Sequence, residues 1–109
     1  DKVPEVKFYT DSADDAGYGF FSQKEYSINI NKAYWGDSAE LVDTVAHELQ
    51  HAAQWQMVRA GVDNEITWSY LHYITPEQNK ALYFSQACEK QSYATGEYWK
   101  DLARSIWYE

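Results

Sequence analysis

Cysteine occurs once, at Cys88, which excludes an internal disulfide framework and a thiolate-rich zinc site. Two prolines and five glycines leave no room for low-complexity or linker-rich organisation. Positive charge is scarce: 9 Lys and Arg stand against 17 Asp and Glu, a formal charge of −8. Nucleic acid is therefore not an expected partner, because little is present to release counterions from a phosphate backbone. No apolar run approaches the roughly 20 residues that cross a bilayer, and no signal-peptide pattern opens the chain. These absences lead to the expectation of a soluble protein with no membrane partner, in a compartment the sequence leaves open. At 109 residues the chain is also too short for two domains with a cleft between them, so residues 1–109 read as one domain.

Aromatic residues, by contrast, are plentiful, with ten Tyr, five Trp and four Phe. Each can bury about 150–250 Å², so core building accounts for most of them. Lining a peptide groove is a second use.

Val3 to Tyr9 suits a strand, with Pro4 favouring an edge or a strand start. Asp11 to Gly19 reads as a loop, and Tyr18 to Phe21 as a short strand. Tyr26-Ser27-Ile28-Asn29-Ile30-Asn31 alternates with period two, the mark of a strand with one buried face. A turn at Ser22 to Glu25 joins the two. Asp37 and Glu40 form a capping-box pattern for a helix that runs to about Ala60 and stops at Gly61. Its apolar face is Leu41, Val42, Val45, Ala46, Leu49, Ala52 and Ala53. Val62 to Ile74 fits either a short helix capped by Asp63 or a strand. Thr75, Pro76 and Gln78 open a second long helix, expected to reach Ala94 and stop at Gly96. A last helix from about Glu97 carries Trp99, Leu102, Ala103 and Ile106 on one stripe. Together these elements make an α+β domain, a small sheet with three or more helices packed on it.

The first long helix contains His47-Glu48-Leu49-Gln50-His51, an H-E-x-x-H motif. Residues four apart lie one turn apart on the same helical face, so both imidazoles can reach one metal ion. Glu48 is turned by about 100° from His47. From there it can flank the metal and take a proton from a bound water. The two histidines lie outside the apolar arc, on a face shared with Glu40, Thr44 and Gln54. A catalytic zinc site needs a third protein ligand and one open position. Met57 stands where a metzincin-type third His would be, so the third ligand lies downstream. The candidates are His72, Cys88, Glu89, Glu97 and Asp101. Glu89 is the best of these, because a carboxylate inside a helix can be held facing the first helix. Cys88 reads better as a small buried residue.

Three features resemble a known family. They are Asp43-Thr44-Val45-Ala46-His47-Glu48-Leu49-Gln50-His51-Ala52-Ala53-Gln54, the strand Tyr26 to Asn31 before that helix, and Glu89-Lys90-Gln91-Ser92-Tyr93-Ala94. The set is similar to the gluzincin zinc metallopeptidases, and most to their smallest members, the minigluzincins. The resemblance implies Zn²⁺ on His47, His51 and Glu89, with Glu48 as general base. It further implies an edge strand packed against the active-site helix, and places Ile28, Asn29 and Ile30 on that edge to pair with an extended substrate. Ser92 replaces the family's usual Ala in the Glu motif. Tyr93 stands where some gluzincins carry an Asp that orients a ligand His. Tyr70, His72, Tyr93 and Tyr98 are candidate donors to an oxyanion, none of them matched to a family position.

The functional expectation is a zinc-dependent metalloendopeptidase acting on a peptide or protein. The alternatives are a zinc-binding module of the same fold without proteolysis, used for interaction or as a toxin effector, and a metal-free helical adaptor.

Overall fold

Short alternating runs build a sheet from the first third of the chain, and capped amphipathic segments build helices from the rest. The computed structural model describes residues 3–14, 16–34 and 36–107. Strands β1 (Glu5–Tyr9), β2 (Gly19–Ser22) and β3 (Ser27–Asn31) are followed by a 3-10 turn at Lys32–Tyr34. Then come helices α1 (Ser38–Arg59), α2 (Glu65–Leu71), α3 (Lys80–Ser85) and α4 (Ala87–Trp107). The fold is α+β, with α1 packed between the sheet and α4.

The strand order is β1-β3-β2, with β1 parallel and β2 antiparallel to β3. This corrects the expectation for Ile28, Asn29 and Ile30. β3 is the central strand, buried on both faces and hydrogen-bonded along both edges. Its backbone has no side left for a substrate. The polar face of β3 is buried because Asn31 pins the loop before β2. The Asn31 amide donates to the Asp11 and Gly17 carbonyls, both at 2.9 Å, and its oxygen accepts from Asp11 N–H at 3.0 Å. The edge strand packed against α1 is β2 instead.

Helix α1 begins and ends where the sequence places it. The Asp37 side chain accepts from Glu40 N–H at 2.9 Å, and Gly61 takes a left-handed φ of 80° just past the end. Its burial is not the one its apolar pattern suggests. The fully buried positions are Ala39, Ala46, Glu48, Ala52 and Gln54. Leu49 is 40% exposed, Ala53 is exposed, and Leu41, Val42 and Val45 are only half-buried. The reason is that α4 docks along the side of α1 carrying Asp43, Gln50 and Gln54, not over the aliphatic strip.

The segment from Val62 to Ile74 resolves to the short helix α2, capped by Asn64 rather than Asp63. Asn64 accepts from Thr67 N–H, and the Thr67 hydroxyl accepts from Asn64 N–H, a reciprocal box. The expected helix from Thr75 to Ala94 is divided. Thr75 and Gln78 do bond each other, but they close only a turn, and Asn79 caps α3. Gln86 is extended at φ −70°, ψ 144°, while its side chain bonds both the N–H and the carbonyl of Ile74. That break re-aims the chain into α4.

Gly96 does not stop a helix; α4 runs straight through it. A Cβ at Gly96 would sit 2.9 Å from the Asp43 carbonyl oxygen of α1 and closer still to the Asp43 side chain. The glycine is there so that two helix backbones can approach. In an open helix Gly→Ala stabilises by roughly 1 kcal/mol. Here the clash reverses the sign, and Gly96→Ala is expected to destabilise by about 1–3 kcal/mol. Urea denaturation of the pair of proteins checks it.

Candidate metal centre

Glycine at 96 lets α4 lie close along α1, and the turn at Gln86 sets which face of α4 points inward. That face presents Cys88, Glu89 and Ser92, all buried. Glu89 thereby meets the two histidines of α1. Its Oε1 lies 3.2 Å from His47 Nε2, and its two oxygens lie 3.3 and 3.2 Å from His51 Nε2. One ligand atom from each of the three side chains falls within 4.8 Å of the other two. The sequence placed His47, His51 and Glu89 together, and the fold does bring them together.

Glu89 is 1% exposed. Burial alone would push its carboxyl up, but hydrogen bonds from His47, His51 and Tyr73 prevail and hold it down to about 2. His51 follows the same balance, with the sign of a base. Burial disfavours its charged form, yet Glu89, Glu48 and Gln54 raise its pKa. Glu48 is 9% exposed, and its pKa is raised because burial outweighs the two neighbouring histidines. A backbone hydrogen bond from Phe21 of β2 holds the Glu48 carboxylate.

The rival ligands are elsewhere. His72 is exposed, stacks on Trp68 at 4.3 Å, and faces the Trp68 carbonyl through Nδ1 at 2.8 Å. Cys88 is buried on α4, but it is not in the ligand group, and its N–H donates to the Ser69 hydroxyl. Glu97 and Asp101 are exposed on the outer side of α4, Glu97 paired with Lys100.

Around the cluster runs a cleft with two lobes of about 400 Å³ each. Gly19, His47, Glu48 and Tyr83 line both. The first continues to Glu40, Asp43 and Lys100, and the second to Phe21, Gln23 and Tyr70. β2 forms one wall. Tyr18 gives its carbonyl to Asn31 of β3, so strand alternation turns the backbone groups of Gly19 and Phe21 outward, toward the cleft.

Of the candidate oxyanion donors, Tyr70 and Tyr93 line the cleft, whereas His72 and Tyr98 face away from it. Tyr93 meets His47 edge-on, with ring centroids 4.5 Å apart. Three further residues belong to the site, of which the sequence placed only Gln54 on the histidine face. Tyr73 donates a short hydrogen bond to Glu89, and Tyr83 bonds both Tyr73 and Tyr93. Burial and the bond to Glu89 push the Tyr73 hydroxyl up, and burial and the bond to Tyr93 push the Tyr83 hydroxyl up, so both stay protonated donors at neutral pH. Gln54 touches His51 Nδ1 at 2.8 Å. Its position three residues after His51 was the available signal, since i and i+3 share a helical face. Nothing in the sequence pointed to Tyr73 or Tyr83, because they arrive from a loop and from α3.

Tyr73→Phe removes a donor from a buried carboxylate. It is expected to lower stability by about 1–3 kcal/mol while leaving the helical content unchanged, read by circular dichroism during urea unfolding.

No known family model, curated protein or solved structure matches this chain.

Proposed function

We propose that the chain is a zinc-dependent metalloendopeptidase. The observation that carries the reading is the donor geometry. Zn–N and Zn–O bonds of about 2.0–2.1 Å at tetrahedral angles put ligand atoms about 3.3 Å apart. His47 and His51 each lie 3.2 Å from Glu89 oxygens. Two imidazoles and one carboxylate are a catalytic zinc set, leaving a fourth position open. A buried carboxylate held ionised by its surroundings suits a cation better than it suits an apolar core. The residues present therefore fit the ion. When bound there, zinc would supply Lewis-acid polarisation of a water and of a substrate carbonyl.

The other parts of the reaction fall to this chain's own groups. Glu48 shares the cleft with the ligand histidines. Its carboxylate takes a proton from the attacking water and hands it to the leaving amine. The Phe21 N–H keeps that carboxylate aimed, and burial makes it more willing to hold a proton. An extended peptide would lie through both lobes and add to the outer edge of β2. β2 thus takes the role that the family resemblance assigned to Ile28, Asn29 and Ile30.

Three measurements test the reading. Metal analysis of protein purified without added zinc is expected to give about one zinc per chain, and Glu89→Ala to lose it. Removal with EDTA should then lower the melting temperature by roughly 10–20 °C, as a ligand at 100 times its Kd contributes about 2.7 kcal/mol. Separately, Glu48→Gln is expected to retain zinc and cut cleavage of a mixed peptide library by about 10²–10⁴-fold. Equal cleavage by Glu48→Gln would remove Glu48 from the mechanism. Zinc uptake with no cleavage by the parent would favour the non-proteolytic zinc module.

A further inference from the structure

Gln54 is a fully buried polar side chain, at 0% exposure, that the proposed reaction does not use. Its hydrogen bonds allow only one polarity. One end of the amide lies 2.9 Å from the Cys88 carbonyl oxygen, 2.9 Å from Gln91 Oε1 and 3.3 Å from Ser92 Oγ. A backbone carbonyl can only accept, so that end is the NH₂ group. The other end is then the amide oxygen, which can only accept in its turn. It lies 2.8 Å from His51 Nδ1. His51 Nδ1 must therefore carry a proton, so Nε2 is the nitrogen left to give up its proton to a metal. Nε2 is the atom that faces Glu89.

We propose that Gln54 is the positioning residue of the metal centre. It fixes the tautomer and ring plane of His51, and it takes its own orientation from the backbone of α4 beside Glu89. Gln54 lies three residues past His51 on α1, and Cys88 immediately precedes Glu89 on α4. The Cys88 carbonyl that orients Gln54 is thus one peptide unit from the third ligand. Docking α4 on α1 then delivers Glu89 and sets His51 in one event. The acceptor on Nδ1 is an uncharged amide rather than a carboxylate, so no additional buried anion is needed behind the ligand. Ser92 Oγ stands 3.3 Å from the same Nδ1, so it closes the pocket around that proton.

This inference rests on the metal-centre reading, and the experiment separates the two. Zinc affinity is measured by competition with a chromophoric chelator, for the parent, Gln54→Met and Gln54→Glu. On the zinc-loaded, ¹⁵N-labelled proteins, the ¹H shift and solvent exchange of the His51 Nδ1–H read whether that proton is hydrogen-bonded. Gln54→Met keeps the shape and loses the acceptor. It is expected to bind zinc about 10–100-fold more weakly and to lose the downfield, slowly exchanging Nδ1–H signature. Gln54→Glu keeps an acceptor toward Nδ1 and is expected to keep that signature. A purely structural Gln54 would lower the melting temperature on substitution and move neither reading. If Gln54→Met does not fold, Gln54→Asn takes its place, since its amide falls one methylene short of His51. A parent that takes up no zinc overturns the metal-centre reading and this inference with it. A parent that binds zinc, beside a variant with equal affinity and an unchanged Nδ1–H signature, overturns the inference alone.

Discussion

An ionised carboxylate buried between two helices is the constraint from which most of this structure follows. Leaving Glu89 out of water without partners would cost several kcal/mol. His47 and His51 compensate it from α1, and Tyr73 from the loop after α2. For those partners to converge, α1 must turn its histidine face toward α4, and α4 must come close enough for Glu89 to reach. Gly96 allows the approach where it passes Asp43. Lys100 bridges Asp43 and Glu97 at 3.2 and 3.0 Å farther along the same seam. These part-exposed ion pairs add little energy individually, but they mark the polar side of the helix pair.

The orientation has a consequence for the rest of α1. A helix has only one face to give to each neighbour. With the polar stripe committed to α4 and Glu48 committed to β2, the aliphatic strip of Val42, Val45 and Leu49 borders an open groove beside Trp99. The interior of this domain is consequently rich in polar groups. Asn31, Gln54, Glu89, Thr67 and Ser92 are all fully or almost fully buried. Among the described residues, no buried side-chain nitrogen or oxygen lacks a hydrogen-bond partner. Satisfied networks of that kind specify one arrangement strongly, because any shift leaves a group unpaired.

Local signals in the sequence were reliable where local physics decided the outcome. Asp37 caps α1, Gly61 ends it, and the i, i+4 spacing puts His47 and His51 on one face. Glu89 was also legible, since a carboxylate inside a helix is held rigidly and was read as facing the first helix. The same signals misled where a longer-range contact overruled them. Thr75 and Gln78 do form their box, yet no helix follows, because the Gln86 side chain ties itself to Ile74 and breaks the chain between α3 and α4. Gly96 looked like a terminus and is a packing device. The strand around Ile28 looked half-buried, and Asn31 ties Asp11 and Gly17 over its polar side.

What the sequence determined alone was the chemistry on offer: two imidazoles one helical turn apart, a carboxylate between them, and a second carboxylate on a later helix. These depend on 3.6-residue periodicity and on side-chain type, which need no tertiary information. Only the tertiary structure decided which strand forms the cleft wall, how Tyr73 holds Glu89, and which way the Gln54 amide points. Each of those depends on pairing between segments far apart in the chain. Strand order is set by which edges find partners, and the polarity of a buried amide by whichever acceptor packs against it, and neither is written in the neighbouring residues.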